Sequence, residues 1–321
     1  MALREAGLRG LAGGALMAAL CVVLGLSAYY IPVLGVAALF VGPVPIVVAC
    51  LRHGPRVAVL AAVVAGVLLG VFLGALQGLV MGFAFGTMGL ALGLAFSRGA
   101  SASATVLWAA LASAGATALS VGLSVLFLGL SPAQMVEQMF EAYEAAGELW
   151  GRLGAPGLAE QARTMLAMIK QAFALVWPAA FAGAFCVLAA VNWAAARAVV
   201  RRLGYRVPDP APFVEWRFPR WVAIPFVLGW AAMVLQPYHR MHWLSVLGTN
   251  LSMLLSMAML VQGAAVAFAF LRRWLGGSAG FILVLIMLVQ PALIWTLVMW
   301  LGVFDLLFDY RRFANPAPRR E

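Results

Sequence analysis

The residues of this chain best able to do chemistry are uncharged hydroxyls and amides set within long apolar runs. Ser113, Thr117, Ser120 and Ser124 recur at steps of four, three and four, which places them on one face of a helix. Ser245, Thr249, Ser252 and Ser256 repeat the pattern, and Asn250 joins them. A hydroxyl both donates and accepts, so either face could line a cavity for a small polar molecule. Ser113, Thr117, Ser120, Ser124, Asn250, Ser252 and Ser256 are the candidate cavity residues. The commoner use of small hydroxyls between membrane helices is close packing, and both readings stay open on sequence alone. Asn192, Asn250, Gln77, Gln262 and Gln290 make sharper demands, because a buried amide needs partners from another helix or from a ligand.

Other chemistries find little support. His239 and His242 flank Arg240, but no paired cysteine or carboxylate lies near to complete a metal shell, so interfacial anchoring is the plainer reading. Cys21, Cys50 and Cys186 sit in apolar runs without CxxC spacing and are expected as free thiols. No HExxH, P-loop, nucleophile elbow or dinucleotide fingerprint occurs. No charged residue falls in the middle of an expected span, which removes a proton-relay carboxylate. The expectation is a protein without catalytic site, cofactor or bound metal.

The elements that must position these residues are membrane helices. Of 321 residues, 65% are hydrophobic and 10% charged, a balance no soluble domain shows. The mean hydropathy of +1.01 agrees. Long runs without alternation mean helices and not barrel strands, so the fold class is all-α, a polytopic transmembrane bundle of about nine spans, with eight possible. The net charge of +10 is spread between apolar runs and not gathered in one patch, which argues against nucleic acid and for a lipid bilayer as partner.

In chain order, a first span runs from about Leu11 to Tyr29. A second, about Val33 to Leu51, holds Gly42, Pro43 and Pro45 and must be bent or broken. Glycine then recurs every fourth residue at Gly66, Gly70, Gly74, Gly78, Gly82 and Gly86, the candidate helix-packing set. This stretch is about twice the length of one crossing, so it folds into a hairpin near Gly74 to Gly78. Span five covers about Thr105 to Leu130. Ser131 and Pro132 open an amphipathic insertion at 131–171 bearing Glu137, Glu141, Glu144 and Glu148, most simply a solvated face. After a break at Gly151 to Gly157, a second helix from about Leu158 leads to span six, near Phe173 to Ala196. An Arg- and Pro-rich linker at 201–220 separates this six-span unit, 1–200, from the membrane helices of 221–321. Those are about Trp221 to Leu235, Trp243 to Phe270 and Ala279 to Trp300.

The arginine-bearing loops fall on one side, which is then cytoplasmic, together with the amino terminus, in a bacterial inner membrane. Nine spans would leave Arg311, Arg312, Arg319 and Arg320 on the opposite side. Either the tail breaks the rule or one segment does not cross.

The Pro-bent stretch Leu39-Phe-Val-Gly-Pro-Val-Pro45, the glycine hairpin, Leu260-Val-Gln-Gly-Ala264 and Gly302-Val-Phe-Asp-Leu-Leu-Phe-Asp-Tyr-Arg-Arg312 together resemble the YybS-like bacterial membrane proteins, a family of unknown function. More distantly, residues 1 to about 200 are similar to the S components of energy-coupling-factor transporters. That likeness implies six helices and docking of a coupling subunit on a small-residue face, for which Ala15 with Ala19, or Gly14 with Ala18, has the spacing. It assigns no substrate residue. The expectation is a non-enzymatic protein that binds or helps transport a small molecule with membrane partner subunits. The alternative is a membrane scaffold or accessory protein in envelope, division or sporulation processes, docking through the acidic insertion or the arginine linker. A membrane enzyme ranks last.

Overall fold

The computed structural model describes residues 2–235, 241–289 and 291–310. Apolar runs form helices because each backbone group then finds its partner within its own segment. Among the described residues there are α-helices, short 3-10 turns and no strand. Six helical stretches are long and apolar enough to cross a bilayer: Gly10–Tyr30, Pro55–Leu73, Ala75–Ser97, Ala102–Phe127, Leu175–Arg202 and His242–Val289. Ala37–His53, Arg220–Val234 and Leu293–Phe308 are shorter apolar helices. The chain divides into two compact units, one of Met1–Leu166 with Ala184–Pro210, the other of Ala167–Gly183 with Ala211–Glu321.

In the first unit, α1 (Ala2–Tyr30) is followed by a second apolar segment in two pieces, α2 (Pro32–Val41) and α3 (Val44–His53). Pro43 and Pro45 remove two backbone donors at the break. The thiol of Cys21 donates across to the Gly42 carbonyl at 3.4 Å. The glycine hairpin is α4 (Pro55–Leu73) and α5 (Ala75–Ser97). It turns on Gly74 alone, whose φ of 95° side-chain-bearing residues rarely adopt. A Cβ on Gly82 would lie 2.7 Å from Gly66 Cα, and one on Gly78 would overlap the backbone of Gly70. Gly86 faces Ala62 instead. The two backbones therefore touch along Gly66, Gly70, Gly78 and Gly82. Further along α5, Gly89 meets Ile46 and Gly93 meets Cys50, seating α3 on the same helix.

α6 (Ala102–Leu128) ends at Gly129, in the left-handed region at φ 65°. α7 (Pro132–Arg152) opens with a reciprocal capping box, in which Gln134 N–H donates to Ser131 Oγ and Ser131 N–H to Gln134 Oε1. α7 folds back on the start of α8 (Pro156–Arg202), with Gly147 against Ala162 and Gly151 against Ala159. The helix expected from Leu158 and span six are one continuous helix of 47 residues, which runs on through Pro178 and ends only at the C-cap Leu203. At its far end, Arg197 and Arg201 both bind Asp209, and Arg197 lies over Trp193 at 5.8 Å. The first stretch of the linker is thereby held against α8.

In the second unit, α9 (Ala223–Val234) and α10 (His242–Leu275) run antiparallel, with Gly229 against Ser252 and Gly248 against Ala232. The stretch read as one last span, Ala279 to Trp300, is covered by α11 (Ala279–Val289) and α12 (Pro291–Phe308), with Gln290 between them outside the described residues. Gly263 of α10 and Gly302 of α12 meet backbone to backbone. Trp300 meets Phe226 edge-on and Trp230 at a tilt, both on α9, while nine residues on, Asp309 binds Arg217, just ahead of α9. α12 thus descends α9 from its middle towards its start and ends beside the linker. Arg311, Arg312, Arg319, Arg320, His239 and Gln290 themselves lie outside the described residues.

Candidate functional site: an uncharged cavity under α7

Three elements of the first unit line an open-mouthed cavity of about 780 Å³. The hairpin tip contributes Leu73 to Gln77, and Val80 and Ala84 follow on α5 at helical spacing. Ala116, Thr117, Ser120, Val121 and Ser124 form the α6 wall, and Met135, Gln138 and Met139 cover it from α7. The volume lies within the range of about 300–1,000 Å³ usual for small-molecule sites. No charged side chain is among the lining residues.

The polar groups divide by what they already bind. Ser124 Oγ donates to the Ser120 carbonyl at 2.8 Å, and Ser113, one turn outside the cavity, donates to the Ala109 carbonyl at 2.9 Å. Ser113 also touches Met88 Sδ at 3.9 Å. These two hydroxyls are spent on their own helix and its neighbour. Ser120 is buried and Thr117 exposed, and Gln77 is half-buried. Among the described residues, the side chains of Gln77, Thr117, Ser120 and Gln138 have no protein hydrogen-bond partner. Buried Ser120 and half-buried Gln77 thus face the same space as the exposed side chains of Thr117 and Gln138.

The second stripe is placed in the other unit and does different work. Pro178 sits inside α8 and opens its hydrogen-bond ladder. Asn250 fills the gap, donating to the Leu175 carbonyl at 2.8 Å and accepting from Ala179 N–H at 2.9 Å. In an unbroken helix those two groups would bond to each other. Its second amide hydrogen goes to the Val246 carbonyl at 2.8 Å. The Asn250 amide is fully engaged in joining helices. Ser252 is buried against Gly229, while Ser256 is half-buried. The candidate residues thus separate, with Thr117, Ser120 and Ser124 at the cavity and Ser113, Asn250, Ser252 and Ser256 away from it.

One buried polar cluster escaped the sequence reading. α12 continues eight residues past Trp300 and carries Asp305 fully buried, so a carboxylate does occur within an apolar helix. Gln262, also fully buried, donates to Asp305 Oδ2 at 2.6 Å and accepts from Phe218 N–H at 3.0 Å. The signal was present in the apolar residues Val303, Phe304, Leu306 and Leu307 on both sides of Asp305. The stretches around Gln262–Gly263 and Gly302–Asp305, far apart in sequence, meet here. Among the described residues, no three His, Cys, Asp or Glu side chains gather as a metal site. His242 stands exposed at the start of α10.

A second space follows the glycine hairpin outside the bundle. Gly66, Gly70, Gly78, Gly82 and Gly86 floor an apolar groove of about 590 Å³, rimmed by Val63, Val67 and Val71. It offers the hydroxyl of Thr87 alone, and that group already donates to the Phe83 carbonyl at 2.6 Å.

The repeated apolar helices define a multi-pass helical membrane protein. Residues 19–306 match the family described as predicted membrane protein (DUF2232), and the chain belongs to that family. No curated protein matches it. No solved structure matches it either.

Proposed function

We propose that this membrane protein binds a small molecule in the cavity under α7 and helps move it together with partner proteins, without doing chemistry on it. The convergence of Gln77, Thr117, Ser120 and Gln138, all without protein partners, carries the reading. Ser113 and Ser124 bond back to their own helix, whereas the hydroxyls of Thr117 and Ser120 do not. The likeness of residues 1 to about 200 to S components points the same way, as does the YybS-like order of motifs along the chain. In this reading the protein lies in a bacterial inner membrane with its amino terminus and linker cytoplasmic and α7 outside.

Cysteine labelling tests it. In a cysteine-free background, Ser120→Cys should react with N-ethylmaleimide, whereas Ser113→Cys, sealed against Met88, should resist. Adding back the low-molecular-weight fraction of the producing cells should slow reaction at position 120. Equal rates at both positions, with no protection, would contradict the proposal. The exposed glutamates of α7, Glu137, Glu141, Glu144 and Glu148, favour a second reading as a scaffold docking through that helix. A scaffold would lose function on deletion of 131–171 and tolerate bulky residues at Thr117 and Ser120.

A further inference from the structure

Resting on the cavity reading above, we infer that the occupant is an uncharged amphiphile, with a compact hydroxyl- or amide-bearing head and an apolar body. The walls fix both halves. Leu73, Leu76, Val80, Ala84, Ala116, Val121, Met135 and Met139 present hydrocarbon and thioether surface, which gives a polar molecule nothing to bind. Against this stand two carboxamides and two hydroxyls, which supply donors and acceptors in comparable number.

A charged head would meet no counter-ion, because every polar lining residue is neutral. Removing an ion from water without a partner carries a heavy desolvation cost, so a head seated against buried Ser120 and half-buried Gln77 is selected against when it carries either sign of charge. The nearest acidic residues of α7 do not relieve this. Glu137 and Glu141 are exposed and outside the lining, and Glu148 lies near Arg152 and Arg163 at 4.0 and 3.7 Å. A neutral head can use Gln77 and Ser120 from the inner wall and Gln138 from the cover. The body then lies along the methionines of α7, whose unbranched thioethers adapt to varied shapes.

The test uses the full-length protein in nanodiscs and three probes of equal chain length, 1-decanoylglycerol, decanoate and decyltrimethylammonium, titrated and read by native mass spectrometry. Decanoylglycerol should bind at least about tenfold more tightly than either ion. Ser120→Phe and Thr117→Phe, checked for unchanged thermal unfolding, should abolish that difference. Gln77→Glu should turn the preference towards decyltrimethylammonium by about tenfold, whereas Gln77→Leu should weaken all binding. An ionic probe binding most tightly and blocked by Ser120→Phe would overturn the neutral class and keep the cavity. Equal uptake of all three probes, unaffected by either phenylalanine, is simple lipid-like partition and overturns both.

Discussion

Asn250→Leu isolates the hydrogen bonding that joins α10 to the proline-broken turn of α8. The wild-type amide donates to Leu175 O and accepts from Ala179 N–H across a ladder that Pro178 has opened. Leucine is close in size but leaves both backbone groups without the amide. In water-soluble cores an orphaned group costs about 1–3 kcal/mol, whereas interhelical bonds in membrane proteins average about 0.6 kcal/mol, because the freed groups find substitutes. Two lost bonds therefore set an expected destabilisation of about 1–3 kcal/mol. The measurement is detergent-induced unfolding followed by tryptophan fluorescence. Pro178→Ala supplies the sharper comparison, since it restores an N–H and lets the turn close on itself. In that background Asn250→Leu should cost about 1 kcal/mol less, a coupling readable from the four-member cycle. A loss below about 0.5 kcal/mol, or an equal loss in both backgrounds, would refute this account of Asn250.

Three further outcomes follow from the packing. Gly82→Leu drives side-chain atoms into the Gly66 backbone and should destabilise the protein by about 1–3 kcal/mol, while Gly122→Ala, with open space around it, should be neutral or slightly stabilising in the same melt. Gln262→Leu strips hydrogen bonds from the fully buried Asp305 and from Phe218 N–H, and should cost about 3 kcal/mol; pairing it with Asp305→Leu should recover part of that loss. Because α12 ends beside the linker, a cysteine at Ala314 should be labelled in whole cells only after permeabilisation. Labelling from outside would overturn the antiparallel descent of α12 along α9.

What the sequence made legible was mostly local. Two prolines within three residues of Gly42 announced the break between α2 and α3, and Ser131 with Pro132 announced the start of α7, because both signals act within one turn of helix. The hairpin turn was readable from glycine spacing and length together. The shared face of Thr117, Ser120 and Ser124 was readable from period alone. Which of those hydroxyls stay unspent depends on back-bonding to the helix, which period does not encode. The inward reach of Gln77 and the cover formed by Met135, Gln138 and Met139 depend on how three helices meet. The long course of α8 was hidden by its polar first third, where composition changes but the backbone does not stop. Asp305 was missed because the last span was closed at Trp300, and its partner lies 43 residues away on another helix.

Native mass spectrometry on protein released gently from its own membrane tests the central claim most directly, since it weighs whatever the cavity holds. A reproducible adduct with a neutral head, distinct from the bilayer phospholipids, is expected on the wild-type chain and should be absent when Thr117 and Ser120 are replaced by phenylalanine with unfolding unchanged. A chain carrying only bilayer lipid, or an adduct indifferent to both phenylalanines, would contradict it.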